Sequence, residues 1–159
     1  MRVNTKSSKH HMKILHYTEN FYAPSETFIF DIIKSTQHKY TVEVLTHYKL
    51  VDDIDLQIHD VSLRNKSWLY RKFKNIFNQL KGRSHNTNLK KARDIIKVFS
   101  PDVVHCHFGT AAFYFDSIQR FSATDIPQVI SLHGFDVFMK DDLFFWDYCL
   151  FFYHSNSSG

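Results

Sequence analysis

The chain has 159 residues, 43% of them hydrophobic and 23% charged, a composition typical of a single globular domain. It contains only two cysteines, which excludes a fold built on several disulfides and favours a reducing compartment. The net charge of +4 is unevenly spread, because residues 64–93 contain ten Lys or Arg and no Asp or Glu. This basic segment is expected to bind an anionic partner or surface.

The apolar runs near the two ends of the chain are not those expected of a signal peptide or a membrane-spanning helix. Residues 1–11 lack the apolar run of a signal peptide and are interpreted as a leader or an expression remnant. The longest apolar run, 143–153, is interrupted by Asp147 and is too short to cross a bilayer. We therefore expect a cytoplasmic protein with one lobe over residues 12–140 and an atypical aromatic tail over residues 141–159.

Apolar runs of strand length alternate with segments of helical periodicity along the lobe. Strands are predicted at 13–18, 40–47, 55–61, 102–108 and 127–134. A first helix is predicted with Ser25 as its N-cap and Glu26 in its first turn. Further helices are predicted at 67–81, 87–99 and 110–121. This alternation predicts an α/β fold with a Rossmann-like parallel sheet covered by helices on both faces.

Polar residues gather where the predicted strands end. His107 and Gly109 follow one strand, and His133 and Asp136 follow the next. The helix that starts at Ser25 lies beside the end of the first strand. Ligands of parallel sheets bind outside the carboxyl ends of the strands, so we predict a substrate cleft at this rim.

The two histidines of the segment HCH, residues 105–107, are interpreted differently. Side chains alternate along a strand, so His105 and His107 share one face and Cys106 points to the other. Cys106 is interpreted as a small buried hydrophobic residue. His105 lies in mid-strand and belongs mainly to the scaffold, whereas His107, at the strand exit, belongs to the cleft.

Three segments together resemble the N-terminal lobe of GT-B retaining glycosyltransferases of family four. They are APSETFI (23–29), PDVVHCHFG (101–109) and ISLHGFDV (130–137). The resemblance covers roughly residues 12–138, in the family's order, and is strongest to bacterial surface-polysaccharide enzymes of the colanic acid or exopolysaccharide type. It implies a lobe that binds the acceptor and forms one wall of the catalytic cleft.

The resemblance also implies roles for single residues. His133 matches the histidine that the family keeps beside the donor sugar at the reaction centre, and Gly134 lets the backbone approach a ligand closely. Asp136 matches a position that fixes this loop or contacts sugar hydroxyls, and His107 matches a second histidine on the cleft floor. The other substrate-binding candidates are Gly109 and, at a helix N-terminus suited to an anion, Ser25, Glu26 and Thr27.

The family generally binds its nucleotide-sugar donor in a C-terminal lobe with a paired-glutamate motif, which this sequence lacks. We therefore expect a truncated chain that is inactive alone and is completed by a separate C-terminal lobe chain. Its substrates are a nucleotide sugar and a glycan or lipid-linked acceptor. The resemblance implies no metal and no cofactor.

Residues 66–83 combine cations with aromatic side chains, as interfacial binding to anionic membrane requires. Related GT-B enzymes use such a region, so the resemblance implies a peripheral position on the inner face of the cell membrane. The apolar stripe of this helix also fits a core face. The membrane-binding candidates are Lys66, Arg71, Lys72, Lys74, Lys81 and Arg83. No nucleic-acid partner is expected, since the segment matches no nucleic-acid-binding fold.

Two alternatives stay open. A metal-dependent hydrolase is the second hypothesis, because His105, His107, His133 and Asp136 are suitable ligands; a TIM-barrel hydrolase, however, needs about 250 residues. A non-catalytic lobe that binds a partner chain or a glycan is the third. Metal content after purification separates the hydrolase from the transferase.

Overall fold

The computed structural model describes residues 11–22, 26–50, 54–80 and 87–134. The elements in these ranges are β1 (Lys13–Phe21), α1 (Thr27–Gln37), β2 (Thr41–Lys49), β3 (Gln57–Asp60), α2 (Trp68–Leu80), α3 (Leu89–Phe99), β4 (Val103–His107), α4 (Gly109–Ser122) and β5 (Gln128–Ser131). All strand pairs are parallel, in the order β3-β2-β1-β4-β5. The predicted Rossmann-like α/β fold is confirmed.

β1 lies in the middle of the sheet and is covered on both faces, which explains its nearly continuous apolar sequence. On one face Ile14 lies beside Val42 of β2, and with Val44 they pack against Ile29 and Ile33 of α1. His16 lies on the same face as Ile14, because side chains alternate along a strand, and its Nε2 is 3.1 Å from the hydroxyl of Thr36 in α1.

The opposite face packs against α3 and α4. Leu15 and Tyr17 of β1 and Val104 of β4 join one buried cluster with Ile96 of α3 and Phe115 of α4. These five side chains are almost completely inaccessible to solvent. Hydrophobic burial on this face therefore fixes β1 and β4 as neighbours, and it places their carboxyl ends side by side.

The helix ends follow local sequence signals only in part. Asn88 is the N-cap of α3, and its side chain accepts a hydrogen bond from the backbone N–H of Lys91 at 3.2 Å. Ser100 ends the same helix in the left-handed conformation. The predicted Ser25 N-cap of α1 is wrong, because the N-cap is Glu26, which makes no side-chain capping bond. Ser25 itself lies outside the described residues.

Helix α2 forms where it was predicted, but its described apolar side chains do not join the core. Trp68 is 62% exposed and Phe73 is 72% exposed. Leu69, Ile76 and Phe77 are also exposed, so the interpretation of the stripe as a core face is wrong for these residues. Within the described ranges no helix is long and apolar enough to cross a membrane.

The predicted lobe boundaries are only partly covered. The leader, apart from His11, and the aromatic tail at 141–159 lie outside the described residues. The lobe is described up to Gly134.

Candidate functional site

The carboxyl ends of β1, β4 and β5 form one rim, as expected for neighbouring parallel strands. His107 is the last residue of β4, Gly109 begins α4, and His133 lies two residues beyond β5. The rings of His107 and His133 have centroids 6.0 Å apart and planes that differ by 10°. The structure thus brings together two histidines that are far apart in sequence.

Two phenylalanine rings hold His133 in place. Its ring centroid lies 4.5 Å from that of Phe28 in α1 and 4.8 Å from that of Phe108. The neighbouring Gly134 is exposed, and a β-carbon built there would meet nothing within 4 Å. His133 is therefore fixed by packing, while the chain beside it stays open to a ligand.

The turn between β4 and α4 is strained. Phe108 has φ 74° and ψ 152°, a region that is essentially restricted to glycine and that costs other residues about 1–3 kcal/mol. The strained residue directly follows His107 and contacts His133. Backbone strain of this kind clusters at functional sites because the surrounding structure must be arranged to hold it.

A group of three imidazoles, called here the histidine cluster, lies on the α1 face just below the rim. It consists of His16, His105 and His107. His16 is directly opposite His105 in the β1–β4 register, and the rings of His105 and His107 stack with centroids 4.3 Å apart. Nδ1 of His16 lies 3.0 Å from Nε2 of His107.

The cluster is electrically neutral because it is buried. Burial, and then the neighbouring His105, lowers the pKa of His16 to about 3. The same two causes come first for His107, whose pKa is lowered to about 2. Burial also lowers the pKa of His105, followed by the effect of His133. These imidazoles therefore keep unprotonated nitrogens near neutral pH.

Hydrogen bonds assign the proton positions in the deeper part of the cluster. The hydroxyl of Thr36 donates to the carbonyl oxygen of Ile33 at 2.8 Å, so it accepts from Nε2 of His16, 3.1 Å away. Nδ1 of His16 is then an acceptor, and Nε2 of His107 donates to it. Nδ1 of His107 is buried with no hydrogen-bond partner among the described residues.

Two carboxylates lie at the β1 side of the rim. Burial raises the pKa of Glu19, although a hydrogen bond with the Thr110 side chain opposes this shift. Burial, and then the charge of Glu19, raises the pKa of Glu26. Thr27 is exposed at the start of α1. This part of the rim can accept hydrogen bonds from hydroxyl groups.

The remaining predicted residues divide into three groups. His107 and Gly109 are buried beneath the rim rather than exposed on it. His105 is half-buried, with Nε2 2.7 Å from Oγ of Ser131, and Cys106 is buried on the opposite face, as predicted. Asp136, like Ser25, lies outside the described residues.

The basic candidates lie on and around α2. Lys66 and Lys72 are exposed, and Arg71 and Lys74 are half-buried. Lys72 also places its Nζ 5.2 Å from the ring centroid of Trp68. Lys81 and Arg83 lie outside the described residues.

Sequence analysis missed His16, Phe28 and Phe108. His16 lies inside an apolar strand, and nothing local connects it to residues about ninety positions later. The two phenylalanines fall within the quoted segments, but hydrophobic residues there indicate core packing as readily as contact with a site residue.

A family model described as glycosyl transferase 4-like matches residues 20–158 of this chain. Among solved structures, the chain is similar to that of the lipopolysaccharide outer core galactosyltransferase WaaB in its apo form, with 20% identity and a TM-score of 0.46. The match covers 75% of this chain and 32% of the galactosyltransferase, so this chain spans about a third of that enzyme's length. A search of curated proteins found no match.

Proposed function

Because the chain belongs to the glycosyl transferase 4-like family, we propose that it is the acceptor-binding lobe of a retaining glycosyltransferase. The reaction transfers a sugar from a nucleotide-sugar donor to a lipid-linked or polysaccharide acceptor in surface polysaccharide synthesis. The observation that carries this proposal is the position of His133, held between Phe28 and Phe108 at the rim, beside the open backbone of Gly134.

In this proposal the rim positions the acceptor against the donor sugar. The acceptor hydroxyl oxygen forms a bond to the anomeric carbon, the bond from that carbon to the diphosphate breaks, and the hydroxyl proton leaves with the diphosphate. His133 lies at the reaction centre, where fixed polar groups stabilise developing charge. Ser25, Glu26, Thr27 and Asp136 contact the substrate. His107 and Gly109, both buried beneath the rim, support the cleft floor from below.

Binding of the nucleotide is assigned to a C-terminal lobe, on a longer polypeptide or on a separate chain. A direct test measures ligand binding to this chain by ligand-observed NMR, with surface-glycan oligosaccharides and nucleotide sugars as probes. The oligosaccharide is expected to bind and the nucleotide sugar is not. Tight binding of the nucleotide sugar, or no binding of any oligosaccharide, would contradict this division of roles.

Transfer itself is tested after a C-terminal lobe is added, by incorporation of labelled sugar into membrane-bound acceptor. His133→Ala is expected to lower incorporation at least a hundredfold, about 2.7 kcal/mol in barrier height. His59→Ala is the matched control, because His59 of β3 is half-buried beside Glu43 of β2, away from the rim. Equal activity of both variants would remove His133 from the reaction centre.

We also propose that α2 binds an anionic membrane surface and so brings the lobe to lipid-linked acceptors. Its exposed Trp68 and Phe73 supply apolar contact area. The neighbouring cations attract acidic lipid headgroups, each contributing about 1 kcal/mol near such a surface. They are Lys66, Arg71, Lys72, Lys74, Lys81 and Arg83.

Co-sedimentation with phosphatidylglycerol vesicles tests this surface. Charge reversal at Arg71, Lys72 and Lys74 is expected to weaken binding at least a hundredfold, because three attractions of about 1 kcal/mol each are lost. Reversal of the exposed Lys90 and Lys97 on α3 is the control. Binding that does not depend on α2, or that is equally strong to neutral phosphatidylcholine, would contradict the proposal.

A metal-dependent hydrolase remains the second candidate. The observation that favours it is the meeting of His105, His107 and His133 at one place in the fold. Hydrolysis of a phosphate or carboxylic ester by the metal-loaded chain, lost in His133→Ala, would favour this candidate over the transferase.

A further inference from the structure

We propose that the histidine cluster of His16, His105 and His107 is a binding site for one divalent transition-metal ion of the Zn²⁺ type. One nitrogen from each ring belongs to a set in which all atoms lie within 4.8 Å of one another. The site is independent of the glycosyl-transfer proposal, and it differs from the hydrolase set by including His16 in place of His133 and Asp136.

The spacing of the nitrogens fits a tetrahedral ion. Two ligands of a tetrahedral zinc ion, each at 2.0–2.1 Å from the metal, are about 3.3 Å apart. Nδ1 of His16 and Nε2 of His107 are already 3.0 Å apart, so only a small opening is needed to admit the ion between them. When the ion binds, the proton that His107 carries on Nε2 moves to Nδ1 of the same ring. The imidazole stays neutral, and Nε2 is free to bind the metal.

A second nitrogen of two of the rings lies beside a hydroxyl oxygen, and metal-binding histidines usually donate their other ring N–H to an oxygen acceptor. Thr36 lies 3.1 Å from Nε2 of His16, and Ser131 lies 2.7 Å from Nε2 of His105. With each hydroxyl accepting from Nε2, Nδ1 of each ring keeps the lone pair that a metal requires. The pairs Thr36–His16 and Ser131–His105 therefore orient two ligands in advance.

Burial also favours the metal-binding form. A histidine must be neutral to bind a metal ion, and the buried positions of His16 and His107 disfavour the charged form. Imidazole nitrogens suit Zn²⁺, Cu²⁺ and Ni²⁺. His105 is the half-buried member and lies on the solvent side, where a water molecule can complete a four-coordinate ion.

The arrangement is costly if it serves packing alone. A buried nitrogen without a partner, such as Nδ1 of His107, costs about 1–3 kcal/mol. Apolar residues would fill the same volume without this cost, as they do elsewhere on the α1 face. A metal ion bound through Nε2 of His107 leaves the Nδ1 position as it is, but it gives the three imidazoles a common partner that offsets the cost of burying them.

Titration of the full chain with Co²⁺ tests the site, because a tetrahedral cobalt ion absorbs strongly in the visible range. The background variant carries His10→Gln and His11→Gln, which removes two adjacent histidines that would also bind metal. We expect one equivalent to bind, displacement by Zn²⁺, and a higher Tm with Zn²⁺ than with a chelator. Absence of both the absorption and the Tm increase would overturn the proposal.

Single replacements locate the ion. In this background His105→Gln is expected to abolish the tetrahedral spectrum, and Thr36→Val to weaken binding about 10- to 100-fold through the orientation of His16. His47→Gln is the control, since His47 is also buried but contacts Tyr17 on the opposite face. Wild-type binding by His105→Gln would overturn the assignment. If circular dichroism shows that His105→Gln does not fold, Ser131→Ala replaces it. This variant is expected to weaken binding about 10- to 100-fold, like Thr36→Val, and wild-type binding by Ser131→Ala would overturn the assignment.

Discussion

Buried histidines lie on both faces of the sheet, and comparison of the two sides shows what burial does and does not determine. On the α3–α4 face, Nε2 of His47 lies 2.8 Å from the Tyr17 hydroxyl and 2.9 Å from the Thr87 hydroxyl. On the α1 face, His16 and His107 contact each other, and one nitrogen of His107 has no partner among the described residues. Burial makes both sites neutral, but of these buried histidines His107 is the one that keeps a nitrogen without a partner in the described part of the chain.

The largest expected effect is a loss of folding stability at low pH, to which the buried histidines of both sites contribute. In the folded state the pKa is about 4 for His47, about 3 for His16 and about 2 for His107, against about 6.5 in the unfolded chain. Between these values the unfolded state binds more protons, so the free energy of unfolding falls as pH falls. The contribution of these neutral histidines to the free energy of unfolding is fully present above about pH 6.5. Below that pH each histidine lowers the free energy of unfolding by about 1.4 kcal/mol per pH unit, down to its own folded-state pKa.

Urea unfolding at a series of pH values from about 7 to about 4.5 measures this slope. His47→Gln is expected to reduce it by about one proton, because only the α3–α4 site is removed, and the contribution of the α1 site remains. A slope unchanged in this variant would show that His47 is not neutral in the folded state. A wild-type stability independent of pH would contradict the neutral assignment at both sites.

Replacement of one histidine on each side separates a satisfied site from an unsatisfied one. His47→Leu removes the hydrogen bonds of the imidazole with the Tyr17 and Thr87 hydroxyls and is expected to cost about 2–6 kcal/mol, because loss of the partner of a buried polar group costs about 1–3 kcal/mol. His107→Leu leaves only Nδ1 of His16 without its partner and removes a nitrogen that had none, so about 1–3 kcal/mol is expected. Denaturant unfolding with a chelator present measures both.

The order of the two values matters more than their size. Equal losses, or a larger loss for His107→Leu, would mean that His107 is as well satisfied as His47, and the argument for a ligand at the histidine cluster would weaken. Leucine is close to histidine in volume, so the two replacements leave similar packing.

The sequence was sufficient to predict the sheet but not this contrast. Strand and helix periodicity predicted every strand and helix of the described ranges, and the strand ends predicted that His107 and His133 meet at one rim. The position of His16 depends on the β1–β4 register, which sets it opposite His105. No local pattern encodes a pairing between residues so far apart.

Helix α2 shows the same limit from another direction. Its apolar period predicted the helix, yet periodicity alone cannot tell whether the apolar stripe meets the core or remains uncovered. The exposure of Trp68 and Phe73 depends on where the rest of the chain folds. The run of cations without acids was the one sequence feature that pointed to an outward-facing role.

The smallest expected effect concerns backbone strain, which differs between the ends of the strands that carry His107 and His47. β4 leaves the sheet through Phe108 at φ 74°, whereas no residue at the end of β2 within the described ranges has a positive φ. Phe108→Ala and Phe108→Gly both lose the ring contacts with Phe28 and His133, but only alanine keeps the strain. Glycine is expected to be the more stable of the two by about 1 kcal/mol, after its greater freedom in the unfolded chain is subtracted.

Ala123 provides the matched control for this pair. It ends α4 in the left-handed conformation at φ 52°, an ordinary position for a helix end, so Ala123→Gly is expected to stabilise the chain by less than about 1 kcal/mol. Thermal unfolding of the Phe108 pair and of Ala123→Gly gives the comparison. An alanine variant at position 108 as stable as the glycine variant would mean that the turn relaxes to negative φ once the ring is gone. In that case the positive φ at position 108 would result from the contacts of the Phe108 ring with His133 and Phe28. Packing alone would then hold His133 at the rim.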